Sequence, residues 1–177
     1  MSPDPRGIVL VGMMGSGKSA VGQALAERLD RELVDLDALV EAGAGRPVMT
    51  IFEEEGEVGF RAREAAAVRE ATARPRSVLS CGGGVVLDPG NVAALRRYGT
   101  VVWLRVSPEV AAARLGNDEG RPVLCGMSGD LVERLASLTA DREAAYRAAA
   151  DAVVDADGPL DDVVQEVVAA VLADIEL

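Results

Sequence analysis

The chain has 177 residues, of which 49% are apolar and 27% charged, with 29 acidic and 18 basic side chains and no histidine. That length supports one domain around one core, and the composition excludes global disorder. A formal net charge of −11 opposes general binding to nucleic acid or to an acidic membrane surface, and the lack of histidine excludes Ser-His-Asp and Cys-His nucleophile systems and histidine metal sites.

Short apolar runs alternate with longer helical stretches. Ile8 to Val11 reads as a buried strand ending in a glycine-rich turn, and Val21, Leu25 and Leu29 follow at helical spacing. Glu32 to Val34 predicts a short strand that ends at Asp35. Ser77 to Ser80 predicts a third, running into Cys81-Gly82-Gly83-Gly84. Thr100 to Val106 predicts a fourth and Ala152 to Val154 a fifth. Helices are expected between them at about 37–44, 57–74, 89–98, 108–115 and 128–150. The last helix carries one apolar stripe of Leu160, Val163, Val164, Val167, Val168, Val171, Leu172 and Ile175, with Pro159 near its first turn. Five apolar strands separated by helices predict an α/β fold: a three-layer α/β/α sandwich with a five-stranded parallel sheet. Such sheets bind ligands at the carboxyl ends of their strands, which here means Gly12–Ser19, Asp35–Asp37 and Gly82–Gly84.

Gly12-Met13-Met14-Gly15-Ser16-Gly17-Lys18-Ser19 fits G-x-x-x-x-G-K-[ST] in full. Glycines let the backbone turn N–H groups toward phosphate oxygens, and the helix that follows adds its own N–H groups and partial positive charge. Lys18 can then reach the β- and γ-phosphates, and Ser19 can ligate magnesium. For a chain with 19 glycines and a single lysine, a chance match is roughly one in a thousand. Seventeen of the 18 basic residues are arginine, and the one lysine is Lys18. A compact ammonium suits the inside of such a loop where a planar guanidinium does not. A nucleoside triphosphate with magnesium is the expected ligand. An Asn-Lys-x-Asp guanine-reading segment is impossible with no second lysine.

Asp35-Leu36-Asp37 offers two carboxylates at a strand end, started on the same side by the period of two. One could hold magnesium through water and the other could accept a hydrogen bond from an acceptor hydroxyl; a plain helix N-cap is the alternative reading. Gly82-Gly83-Gly84 would expose backbone to a close ligand or form a simple turn. Cys81 reads as a small buried residue, since no base is available to activate it. Arg61 lies in Phe60-Arg61-Ala62-Arg63-Glu64, Arg121 in a glycine-bounded loop, Arg114 one segment earlier and Arg142 on the long helix after.

These clusters, in this order, resemble the shikimate kinase family from Ile8 to about Leu172. The likeness rests on Gly12 to Ala20, Asp35-Leu36-Asp37, Ile51 to Glu64, Cys81 to Gly84, Arg121-Pro122 and Arg142-x-x-x-Tyr146. The resemblance implies a P-loop kinase fold of the nucleoside-monophosphate-kinase type, with a substrate-binding subdomain at about 35–64 and a lid at about 115–126. It implies ATP- and Mg2+-dependent phosphorylation of the 3-hydroxyl of shikimate, in the route to chorismate and the aromatic amino acids. Asp37 would bind the shikimate hydroxyls and act as base. Arg61 and Arg142 would grip the carboxylate, with Glu64 orienting Arg61 and the backbone of Gly82, Gly83 and Gly84 lining the pocket. Ser19 and Asp35 would hold magnesium, Arg121 would close with the lid onto the γ-phosphate, and Arg114 would face the adenine. The nucleotide would lie on Gly12, Met13, Met14, Gly15, Ser16, Gly17, Lys18, Ser19 and Ala20.

Three features depart from the family pattern. Ala20 stands where threonine is usual, Asn117-Asp118-Glu119 where basic residues are common, and the segment from Asp155 to Pro159 looks shortened, so no adenine contact is assigned to it. Two alternatives stay open: a kinase for another small hydroxylated acid, such as gluconate or a cyclitol acid, and a nucleotide-binding regulatory module without turnover. Cys81 and Cys125 could pair, but nothing in the sequence requires it, and a reduced cytoplasm is expected, with a monomer, small-molecule partners only, and no membrane or nucleic acid.

Overall fold

The computed structural model describes residues 6–117 and 121–175. Within it, five strands are joined by seven helices in the order β1 (Gly7–Val11), α1 (Lys18–Leu29), β2 (Leu33–Asp35), α2 (Leu36–Ala44), α3 (Val48–Thr72), β3 (Val78–Ser80), α4 (Pro89–Tyr98), β4 (Gly99–Arg105), α5 (Pro108–Leu115), α6 (Leu131–Ala149), β5 (Ala152–Asp155) and α7 (Leu160–Ile175), with short 3-10 turns at Val85–Leu87 and Pro122–Leu124. All four strand pairings are parallel and the strand order is β2-β3-β1-β4-β5. β1 therefore runs through the middle, between β3 and β4, and its carboxyl end opens beside theirs.

The sheet is buried on both faces, as the unbroken apolar strands require. Val9 and Val11 point into one core with Trp103, Phe60, Ile51, Leu135 and Tyr146. Ile8 and Leu10 point into the other with Val21, Leu25 and the α7 residues Val163, Val164, Val167 and Val171. Leu160 and Leu172, expected in the α7 stripe, are 43% and 46% exposed and form its edges. Among the described residues no helix is long and apolar enough to cross a membrane.

Three element boundaries differ from expectation, each for a local reason. The helix expected at 57–74 begins at Val48. Gly56 adopts φ 68, ψ −176 and kinks it without ending it, so one element reads as two. The helix expected from about 37 starts at Leu36, directly after the strand, so the two aspartates are not aligned by strand alternation. Asp35 is the N-cap of this helix, accepting a hydrogen bond from the Ala38 N–H at 3.1 Å. The helix expected from 128 starts at Leu131, where Asp130 and Glu133 close a reciprocal capping box.

Candidate active site

The phosphate loop is built by strand β1 ending and helix α1 beginning without room to spare. Gly15 and Gly17 sit at φ 78 and φ 90, left-handed values that a side chain resists. At Gly15 a Cβ would also press on the Ala111 carbonyl at 2.8 Å. Gly17 is the N-cap of α1 and offers no side chain to it, so the first N–H groups of the helix remain available to an anion. Lys18 Nζ donates to the carbonyls of Gly12 at 2.8 Å and Met13 at 2.9 Å, which hold the ammonium across the loop. Burial lowers the Lys18 pKa to about 8, against the opposing pull of Asp37, Cys81 and Asp35. Met13 itself turns its side chain into the core.

A cavity of about 400 Å³ opens over this loop, lined by Met14, Gly15, Gly17, Lys18, Ser19, Ala20, Asp35, Asp37, Ser80, Cys81, Gly82, Gly83, Leu115 and Arg121. The three strand ends singled out in the sequence therefore converge. Asp35 and Asp37 reach the cavity together, although not through strand alternation: Asp35 caps α2 and Asp37 lies in its first turn. Burial and the neighbouring Asp35 raise the Asp37 pKa, while Lys18 pulls it back. Cys81 is buried and free, its thiol pKa pushed up by burial, and Cys125 is exposed and free.

A second cavity of about 140 Å³ adjoins the first and shares Met14, Asp37, Gly82, Gly83 and Arg121 with it. Its other walls are Val48, Phe52, Phe60, Arg61, Glu64, Gly84, Pro122, Val123 and Arg142. Arg61 donates to Glu64 Oε1 at 2.9 Å and to Glu57 Oε1 at 3.1 Å, and its guanidinium lies over the Phe60 ring. Burial alone would lower the Arg61 pKa, but the Glu64 and Glu57 carboxylates outweigh it and raise it. Arg142 is 4% exposed, an unusual burial for a guanidinium without function. The triple glycine is where these groups crowd: a Cβ at Gly84 would overlap the Arg61 guanidinium, and one at Gly83 would stand 3.3 Å from Arg142. Tyr146, fully buried and stacked on Trp103, donates its hydroxyl to the Gly83 carbonyl.

On the far side of the loop a third cavity of about 260 Å³ is lined by Ser16, Gly17, Ala20, Val21, Arg114, Ala156, Gly158, Leu160 and Val163. Arg114 donates to the carbonyls of Gly15 at 3.2 Å and Ala156 at 2.7 Å. The turn between Asp155 and Pro159, to which the sequence assigned no contact, walls this cavity opposite the loop. Asp118 and Glu119, expected in the acidic lid, lie outside the described residues.

The sequence reading missed the apolar side of the second cavity. Val48 and Phe52 stand at i, i+4 before Gly56, a helical spacing that the acidic run Glu53-Glu54-Glu55 and the glycine disguised. Among the described residues no group of three or more carboxylates or cysteines could hold a metal unaided. Ser19 and Asp35 border one cavity, and a magnesium ion there would draw its remaining oxygens from phosphate and water, as this ion commonly does.

Known proteins agree with this architecture. The family model "Shikimate kinase" matches residues 14–172. A shikimate kinase of Symbiobacterium thermophilum is 50% identical over 163 residues, covering 90% of this chain and 92% of its own. The structure of a shikimate kinase from Acinetobacter baumannii in complex with shikimate superposes with a TM-score of 0.91 at 35% identity, over 97% of this chain and 96% of the other. A gluconokinase from Sinorhizobium meliloti superposes with a TM-score of 0.62 at 23% identity, over 97% and 94%, a likeness of fold alone. With a family model matching most of its length, half of the aligned residues identical to a curated relative and a fold shared along almost the whole chain, the protein belongs to the shikimate kinase family.

Proposed function

We propose that this protein transfers the γ-phosphoryl group of ATP to the 3-hydroxyl of shikimate. The observation that carries the reading is the continuity of two unlike cavities: one is floored by the phosphate loop and Lys18, the other is walled by Arg61 and Arg142, and Asp37 stands in both. The shikimate-bound relative of the same fold supports shikimate as the occupant of the second.

Each group then has a task. Arg61 and Arg142 hold the acceptor carboxylate through forked, charge-assisted hydrogen bonds, and the Gly82–Gly84 backbone lets the ring approach closely. Val48, Phe52 and Val123 cover its apolar face. Asp37 accepts the proton of the attacking hydroxyl as the new oxygen–phosphorus bond forms and the bond to the ADP oxygen breaks. Its raised pKa strengthens it as an acceptor. The loop N–H groups and Lys18 hold the β- and γ-phosphates, Arg121 meets the charge that spreads over the transferred group, and positioning supplies most of the acceleration. Ser19 and Asp35 would hold magnesium, which when bound neutralises phosphate charge. The adenosine end lies along Arg114. Segment 35–64 serves as the acceptor-binding subdomain and 115–126 as the lid that excludes water. The catalytic unit in this reading is a monomer, and an ATP-consuming kinase of this kind works in the cytoplasm.

The test is ADP release with shikimate, gluconate and cyclitol acids as acceptors, with and without magnesium. Shikimate is expected to be the best acceptor and magnesium to be required. Arg61→Ala should raise the shikimate KM or abolish turnover while leaving nucleotide binding nearly intact. Poor turnover of shikimate beside a better acceptor would overturn the assignment.

A further inference from the structure

The acceptor cavity is assembled from a bent helix. Val48 and Phe52 come from α3 before Gly56, and Phe60, Arg61 and Glu64 from α3 after it. At φ 68, ψ −176, Gly56 occupies a region essentially restricted to glycine. A kink of this kind interrupts the regular backbone ladder, so the angle between the two halves needs side chains to hold it.

Three charged residues span the bend. Glu55, the last residue before Gly56, receives two parallel hydrogen bonds from Arg63, Nε to Oε2 at 2.8 Å and Nη2 to Oε1 at 2.9 Å. Arg46, from the turn joining α2 to α3, reaches the same Glu55 Oε1 and also Glu54 at 2.6 Å. The link thus ties the turn that follows α2, the helix whose first turn holds Asp37, to both halves of α3. Gly59 makes room for it, because a Cβ there would collide with the Glu55 side chain. Hydrogen bonding from Arg63, joined by Arg46 and opposed by desolvation, lowers the Glu55 pKa to about 2, so the link is ionic across the working pH range. The three side chains are between 25% and 35% exposed, where ion pairs add little to global stability.

We propose that the Arg46–Glu55–Arg63 triad is a positioning device that sets the bend at Gly56, and through it the spacing of Val48 and Phe52 from Arg61 and Glu64 across the acceptor cavity. The inference rests on the acceptor assignment above. None of the three lines a cavity itself, but the two halves of α3 that they join line the acceptor cavity and neither the phosphate-loop nor the nucleoside cavity, so their influence falls on one substrate.

The experiment is steady-state kinetics on Glu55→Gln, Arg63→Ala, Arg63→Lys, Gly59→Ala and the Glu55→Gln/Arg63→Ala double variant, with melting followed alongside. Expected is a rise in shikimate KM of about five- to tenfold in Glu55→Gln, Arg63→Ala and Gly59→Ala, with the ATP KM and kcat within about twofold of wild type. Arg63→Lys, which keeps the charge and loses the fork, should fall between wild type and Arg63→Ala. The double variant should be no worse than either single one, since each breaks the same link. Gly59→Ala removes no charge and tests the geometry even where a charge variant folds poorly. An unchanged shikimate KM in Arg63→Ala and Gly59→Ala, or an equal rise in the ATP KM, would overturn the triad's role alone. A wild-type enzyme that fails to phosphorylate shikimate would overturn the acceptor assignment and this inference with it.

Discussion

Arg61 and Glu64 face each other across one turn of α3, Nη1 to Oε1 at 2.9 Å, and the second Glu64 oxygen is buried with no hydrogen-bond partner. Burial raises the Glu64 pKa and Arg61 draws it back down. An acid so placed holds the guanidinium toward the cavity while keeping one oxygen in reserve beside Gly82. Glu64→Gln keeps the shape and weakens the tether. The shikimate KM should rise by about tenfold, with the ATP KM unchanged, because the ion pair with Arg61 is lost and only a hydrogen bond from its guanidinium to a neutral amide oxygen remains. Steady-state kinetics at fixed ATP measure it.

The ammonium of Lys18 titrates near 8 in the free protein because its burial outweighs the nearby carboxylates. Above that pH the loop loses its cation, so kcat/KM for ATP should fall as pH rises through about 8. The folded pKa lies below the ordinary lysine value of 10.5, so between these values the unfolded chain binds more protons and stability should increase with pH. Lys18→Met should therefore abolish phosphoryl transfer yet leave the ligand-free protein more stable near pH 7, on the order of 1–3 kcal/mol. Denaturant melts at pH 7 and pH 10 check the sign: the gain should shrink at the higher pH.

Gly84 has no room for a side chain. A Cβ there meets the Arg61 guanidinium, which must swing out of the second cavity or be held off Glu64. Gly84→Ala should raise the shikimate KM by about tenfold or more and leave ATP affinity intact. Calorimetry with each ligand separates the two effects.

Tyr146 carries its hydroxyl to the Gly83 carbonyl from a position with no solvent exposure. Tyr146→Phe leaves that carbonyl without this donor and should cost about 1–3 kcal/mol of stability. Burial pushes the Tyr146 pKa up to about 12, so the hydroxyl remains a donor throughout the working range, and no pH-dependent loss of this bond is expected below pH 10. Thermal melts of the variant over that range check both statements.

Much of this architecture was legible before any coordinates. A full phosphate-loop pattern between an apolar strand and an amphipathic helix is local information, because backbone freedom at Gly15 and Gly17 and the reach of Lys18 depend on residues adjacent in the chain. The strand runs were equally plain: a parallel sheet covered on both faces demands unbroken apolar segments, and all five expected strands are present. The same locality explains the errors. Gly56 looked like a boundary because a glycine usually weakens a helix, whereas here packing of Ile51 and Phe60 in one core carries α3 through it. Asp35 and Asp37 were expected to align by strand alternation, but an N-cap at Asp35 starts a helix immediately and brings Asp37 into the cavity by a different turn.

Spacing along the chain could name Lys18, Asp37, Arg61 and Arg142 as chemical candidates; it could not place them around adjoining cavities. That arrangement follows from the strand order, which sets the ends of β1, β2 and β3 side by side, and from long-range contacts such as Tyr146 with Gly83. Nor could spacing separate Arg63, bound into a link across a helix bend, from a solvated surface charge. Backbone chemistry and apolar periodicity are written in neighbouring residues. Distances between segments come from packing, which depends on every element at once.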